Sequence, residues 1–88
     1  MNLTNIRNEI DEIDVEIIRL IDKRMELAIL SKDYKKNIVD FAREKEVLEN
    51  INKNLSKNLT SQNFYINLYK SIFEESKKVQ GLLNNTEC

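Results

Sequence analysis

Arg24 stands between Leu20 and Leu27 on a row of apolar residues, at a position where helical spacing asks for another apolar side chain. Ala28, Ser31 and Lys35 follow it at i+4, i+7 and i+11, so an α-helix carries two cations and a hydroxyl on one face. Further along, the row Val47, Ile51, Leu55 runs back through Arg43 or Glu44 to Asp40. Ser76 and Gln80 interrupt a third row, Ile72, Val79 and Leu83. A charge on a core-facing position is costly unless something pairs with it, so these exceptions are the residues to explain. Gathered in one pocket, they set Arg24, Lys35 and Arg43 against Asp40 and Glu44, with neutral donors from Ser76 and Gln80. Arg7, beside Ile6 and Ile10, joins them if it comes from a second, antiparallel copy. Such a cationic excess among apolar residues suits a small dianion, because arginine grips carboxylates through paired N–H bonds that a low dielectric strengthens.

Taken singly, each residue has a plainer explanation. Arg24 reads as a snorkelling or salt-bridged arginine, Arg43 with Glu44 and Lys35 with Lys36 as solvated helix faces, and Asp40 as an N-terminal cap. Arg7 reads as an i,i+4 partner of Asp11, Ser76 as a tolerated small residue and Gln80 as an exposed helix end. The joint pattern carries the weight.

The elements that must position these groups are helices. Leu3, Ile6, Ile10, Ile13, Ile17, Leu20, Leu27 and Tyr34 keep a 3-4 spacing, which predicts a first helix over about residues 5–36, roughly 48 Å long. Thr4 is its expected N-cap. A second row, Ile18, Ile21, Met25 and Ala28, makes the stripe wider than a two-stranded seam. A second helix is expected over about 39–57 and a third over about 62–83, capped by Thr60 or Ser61, with a polar tail after it. Two short helices do not cover the stripe of one long one. The expected fold is therefore all-α, a single domain over residues 1–88: a three-helix protomer in an intertwined homodimer.

Composition narrows the chemistry. The 88 residues hold no proline and one glycine, a helical balance, and the formal net charge of -1 argues against nucleic acid or an anionic membrane as partner. There is no apolar run long enough for a bilayer and no signal-peptide pattern at the start, so the expected location is the cytoplasm. With no histidine, and one cysteine at position 88, neither metal hydrolysis nor Cys/His catalysis is expected.

The order of these residues resembles a known family, the all-helical (type II) chorismate mutases, which convert chorismate to prephenate in aromatic amino-acid biosynthesis. The likeness spans about residues 3 to 80. It begins at Leu3-Thr4-Asn5-Ile6-Arg7-Asn8-Glu9-Ile10-Asp11 and continues through Lys23-Arg24-Met25-Glu26-Leu27-Ala28 and Tyr34-Lys35-Lys36. Asp40-x-x-Arg43-Glu44-x-x-Val47-Leu48 and Ile72-Phe73-Glu74-Glu75-Ser76-x-x-x-Gln80 complete it. One departure is the connection from Lys35 to Asp40, roughly four residues, about one helical turn, shorter than the family's pattern.

The resemblance implies a substrate pocket without cofactor or metal. It implies that Arg24 and Arg7 of the neighbouring chain hold the two carboxylates of chorismate, assisted by Ser76. It also implies that Lys35 and Gln80 address the ether oxygen, that Glu44 with the backbone near Asp40 takes the ring hydroxyl, and that Arg43 supports the set. An isochorismate-pyruvate lyase of the same fold, or a non-catalytic helical dimerisation module, are the alternatives; intact Asp40 and Glu44 favour the mutase.

Overall fold

The structure, a computed structural model, describes residues 2–34, 40–55 and 60–84. Three α-helices and one 3-10 turn account for nearly all of them: α1 (Leu3–Ser31), the turn Lys32–Tyr34, α2 (Phe41–Asn54) and α3 (Gln62–Asn84). Helix α3 packs against both of the others.

Each helix starts on a side-chain cap. The cap of α1 is Asn2 and not Thr4: its side-chain oxygen accepts from the Asn5 amide at 2.9 Å, and its own carbonyl accepts from the Ile6 amide at 3.0 Å. The apolar period hides this, because it begins at Leu3 and Asn2 lies just outside it. At the other end, the α-helical ladder stops at Ser31, five residues short of the expected Lys36. The Lys32 amide bonds to both Ile29 and Leu30 carbonyls, and the chain tightens into the 3-10 turn. Helix α2 begins at Phe41, because the Asp40 carboxylate accepts from the Arg43 amide at 3.0 Å. For α3 the cap is Ser61, whose hydroxyl accepts from the Phe64 amide at 3.2 Å. The helix runs on through Gly81, where the backbone keeps an ordinary negative φ.

The core is small. Among the described residues, the buried apolar side chains are Val47 on α2 and Ile72 and Phe73 on α3. Helix α1 buries none. Its stripe is open to solvent along its length, with Ile10, Ile13 and Ile17 each about half exposed. The chain exposes 7304 Å², against the roughly 5,400 Å² expected of a folded monomer of this mass. Its radius of gyration is 16.2 Å, against about 12 Å for a compact chain of this length.

Candidate active site

The other two buried side chains are polar. Ser76 is 8% exposed and Gln80 2%, one turn apart on α3, facing the same side as Ile72 and Phe73. They floor a pocket lined by Arg24 of α1, by Asp40, Arg43, Glu44 and Val47 at the start of α2, and by Phe73 and Lys77 of α3. The hollow measures about 380 Å³ with the solvent at its mouth included, and it is open on one side.

Arg24 reaches it because the α1 seam leans on α3. Its guanidinium lies over two aromatic faces, 5.9 Å from the Tyr69 ring centre and 6.0 Å from that of Phe73. The two rings, i and i+4 on α3, meet edge to face at 6.3 Å. Among the described residues Arg24 has no carboxylate partner, so a half-shielded fork of N–H donors stands on an aromatic bed and faces the pocket. Such a fork of donors has the chemistry to receive an anion.

Gln80 supplies the second irregularity. Its Nε2 donates to the Ser76 carbonyl at 3.0 Å and to the Ser76 hydroxyl at 3.3 Å, while its buried Oε1 has no hydrogen-bond partner. An unmet buried acceptor costs about 1–3 kcal/mol, a cost that a ligand or a partner chain can relieve.

Helix α2 divides its charges. Of the two positions left open by the Val47 row, Glu44 turns inward and is partly shielded, and Arg43 stays exposed at the pocket's edge, where it pairs with Glu46 on the surface. Asp40 spends its carboxylate on the helix cap. Lys77 meets Glu44 at 3.2 Å and Glu74 at 3.3 Å. The hydrogen bond that the Lys77 ammonium donates to Glu44 holds it above its ordinary pKa, against a smaller opposing effect of desolvation.

Of the eight residues singled out in the sequence, the structure therefore brings six to one pocket: Arg24, Asp40, Arg43, Glu44, Ser76 and Gln80. Lys35 lies outside the described residues. Arg7 is exposed on the first turns of α1, seventeen residues before Arg24, which is about 25 Å along a helix and beyond the reach of any side chain. Sequence reasoning missed Lys77, Tyr69 and Phe73 as parts of the site. Tyr69 and Phe73 fall among the apolar residues of α3, and nothing in the spacing sets Lys77, four residues after Phe73, apart from a solvated lysine.

An all-helical domain with a cation-rich, partly apolar pocket and a long uncovered helix is the class that fold and site define. The sequence pattern of the family described as chorismate mutase type II matches residues 6–81, and the chain belongs to that family. Among curated proteins it is similar to a bifunctional chorismate mutase/prephenate dehydratase of Buchnera aphidicola subsp. Schizaphis graminum (strain Sg). The two are 36% identical over 91 aligned positions, which cover 99% of this chain and 24% of the relative. The chain thus spans about a quarter of that protein's length. No solved structure matches. No helix among the described residues is long and apolar enough to cross a membrane.

Proposed function

We propose that this protein is a chorismate mutase, rearranging chorismate to prephenate in a cytoplasmic homodimer whose two pockets are each completed by the other chain. The observation that carries this reading is the convergence of Arg24, Asp40, Arg43, Glu44, Ser76 and Gln80, separated by up to fifty-six positions in sequence, on one hollow. The family match and the relative's name support the same substrate.

The reaction is an intramolecular rearrangement, so the site has to fold and polarise its substrate without supplying a nucleophile. Arg24, held flat by Tyr69 and Phe73, clamps one carboxylate. Arg7 of the partner subunit clamps the other, and the Ser76 hydroxyl assists. Together they select the compact conformer in which the reacting carbons approach, which removes an entropic part of the barrier. Negative charge grows on the ether oxygen as its bond to carbon breaks, and Lys35 with Gln80 donates to it. Gln80 Nε2 carries two hydrogens. One keeps the 3.0 Å bond to the Ser76 carbonyl; the other leaves the longer 3.3 Å contact with the Ser76 hydroxyl and turns to the substrate. Glu44, with the backbone near Asp40, accepts from the ring hydroxyl, and Arg43 adds positive potential at the rim.

The exposed α1 stripe supports the dimeric part of this reading. Arg7 reaches an Arg24 pocket only if a second α1 lies antiparallel to the first, and that arrangement also covers the exposed stripe from Leu3 to Tyr34. The deciding experiment incubates the purified protein with chorismate, follows loss of the diene absorbance and identifies the product. Prephenate is the expected product. Pyruvate release, or no turnover and no thermal stabilisation by a bicyclic dicarboxylate, overturns the reading in favour of a lyase or a structural module.

A further inference from the structure

Four ion pairs join described residues, and three of them are i,i+3 pairs within one helix: Arg19 with Glu16, Arg43 with Glu46, and Lys77 with Glu74. The fourth, Lys77 with Glu44, ties α3 to α2 inside the pocket wall. Its side chains are 25% and 23% exposed, whereas Glu74 on the rim is 72% exposed. The ammonium also lies 5.6 Å from the centre of the Phe41 ring, which shields it from the side of the α2 start. We propose that Lys77 is a positioning residue for Glu44: its ammonium holds Oε2, leaves Oε1 to a ligand hydroxyl, and cancels the Glu44 charge toward an incoming dianion.

The inference rests on the dianion reading of the pocket, and charge counting shows why that pocket needs such a group. The charged residues that line it are Arg24 from α1, Asp40, Arg43 and Glu44 from α2, and Lys77 from α3. Arg43 is already committed to Glu46 outside. Without Lys77, Arg24 is the one uncommitted cation among the described lining residues of this chain, and the Glu44 charge opposes a dianion's entry. With Lys77 in place, Glu44 serves as a hydrogen-bond acceptor without acting as a net negative charge. A lysine in this role has a geometric requirement, a stem that crosses from α3 to α2, and the Phe41 ring facing the ammonium keeps it from turning fully to solvent.

The test compares four full-length proteins: wild type, Lys77→Met, Glu44→Gln and the double variant, with Lys77→Arg as a rescue. Circular dichroism checks the folding of each. In the wild-type background, Lys77→Met is expected to raise KM for chorismate about tenfold while kcat changes by less than about twofold, since a lost charge balance acts on binding of the dianion. Lys77→Arg is expected to restore most of the loss. In the Glu44→Gln background the same Lys77→Met change is expected to shift KM by less than about twofold, because the carboxylate it serves is gone. An unchanged KM in Lys77→Met, or an equal effect in both backgrounds, overturns the proposal. If the wild type turns over no chorismate, the assigned activity falls, and the Lys77–Glu44 pairing is judged by a thermal-denaturation cycle on the same four proteins. Coupling between the two substitutions supports it, and strict additivity overturns it.

Discussion

Ile13→Asp tests whether the open stripe of α1 is an interface. Ile13 is 58% exposed in the protomer and lies in the middle of the row from Leu3 to Tyr34. Burying a whole isoleucine side chain is worth about 1.5–3 kcal/mol, so covering the exposed half yields about 1 kcal/mol in each chain and about 2 kcal/mol per dimer. Aspartate forfeits that gain and places two carboxylates in an apolar seam, at a further cost of at least about 2 kcal/mol, because a carboxylate is costlier to bury than a neutral polar group. A total of about 4 kcal/mol is roughly a thousandfold in the dimer dissociation constant. Sedimentation velocity at micromolar concentration is expected to show a dimer for the wild type. The variant is expected to run as a monomer or an unfolded chain, with activity lost in parallel. Val15→Asp is the control: Val15 is 67% exposed but sits about 200° round the helix from Ile13, away from the seam, and its substitution is expected to leave the dimer intact. The reasoning is refuted if wild type is a folded, active monomer, or if both substitutions have the same effect.

Shared pockets predict complementation: Arg7→Ala and Arg24→Ala chains, each inactive alone, should regain activity when mixed and refolded, up to one working pocket per heterodimer. Steady-state assays on the exchanged mixture check this, and no recovery despite verified exchange places both arginines in one chain's pocket. Gln80→Glu keeps the shape of a 2% exposed side chain, but lets it donate only when protonated. Its activity should fall with rising pH while wild type varies little, as read from kcat/KM profiles. The pairing of Lys77 has its own pH signature. Its folded-state pKa is raised above the ordinary 10.5, so the stabilisation is complete below that value and is lost as pH climbs through the higher one. The Tm gap between wild type and Lys77→Met should be a few degrees at pH 9 and should close in more alkaline buffer, as melting curves will show.

Much of the fold could be read in the residue spacing alone. The 3-4 rows predict three helices and their faces, and the polar interruptions at Arg24, Glu44, Ser76 and Gln80 mark groups that the structure gathers in one hollow. Periodicity succeeds here because a helix is a local structure, closed by hydrogen bonds four residues apart, so each side chain's direction follows from its place in the row. Element ends were harder to read. Asn2 displaced Thr4 as a cap, and α1 tightened to 3-10 after Ser31, through single hydrogen bonds that leave no trace in an apolar pattern.

Tertiary structure alone decided which of Arg43 and Glu44 turns inward, since both lie within one residue of the Val47 row. It also decided that Arg24 rests on Tyr69 and Phe73, and that Lys77 spans α3 to α2. A lysine three residues from a glutamate reads in sequence as an i,i+3 surface pair, and Lys77 does make that pair with Glu74. Its bond to Glu44, thirty-three positions away, exists because two helices pack side by side. Contacts between helices depend on their axial offset and rotation, which are set by how side chains of different helices pack and not by any one helix's own period.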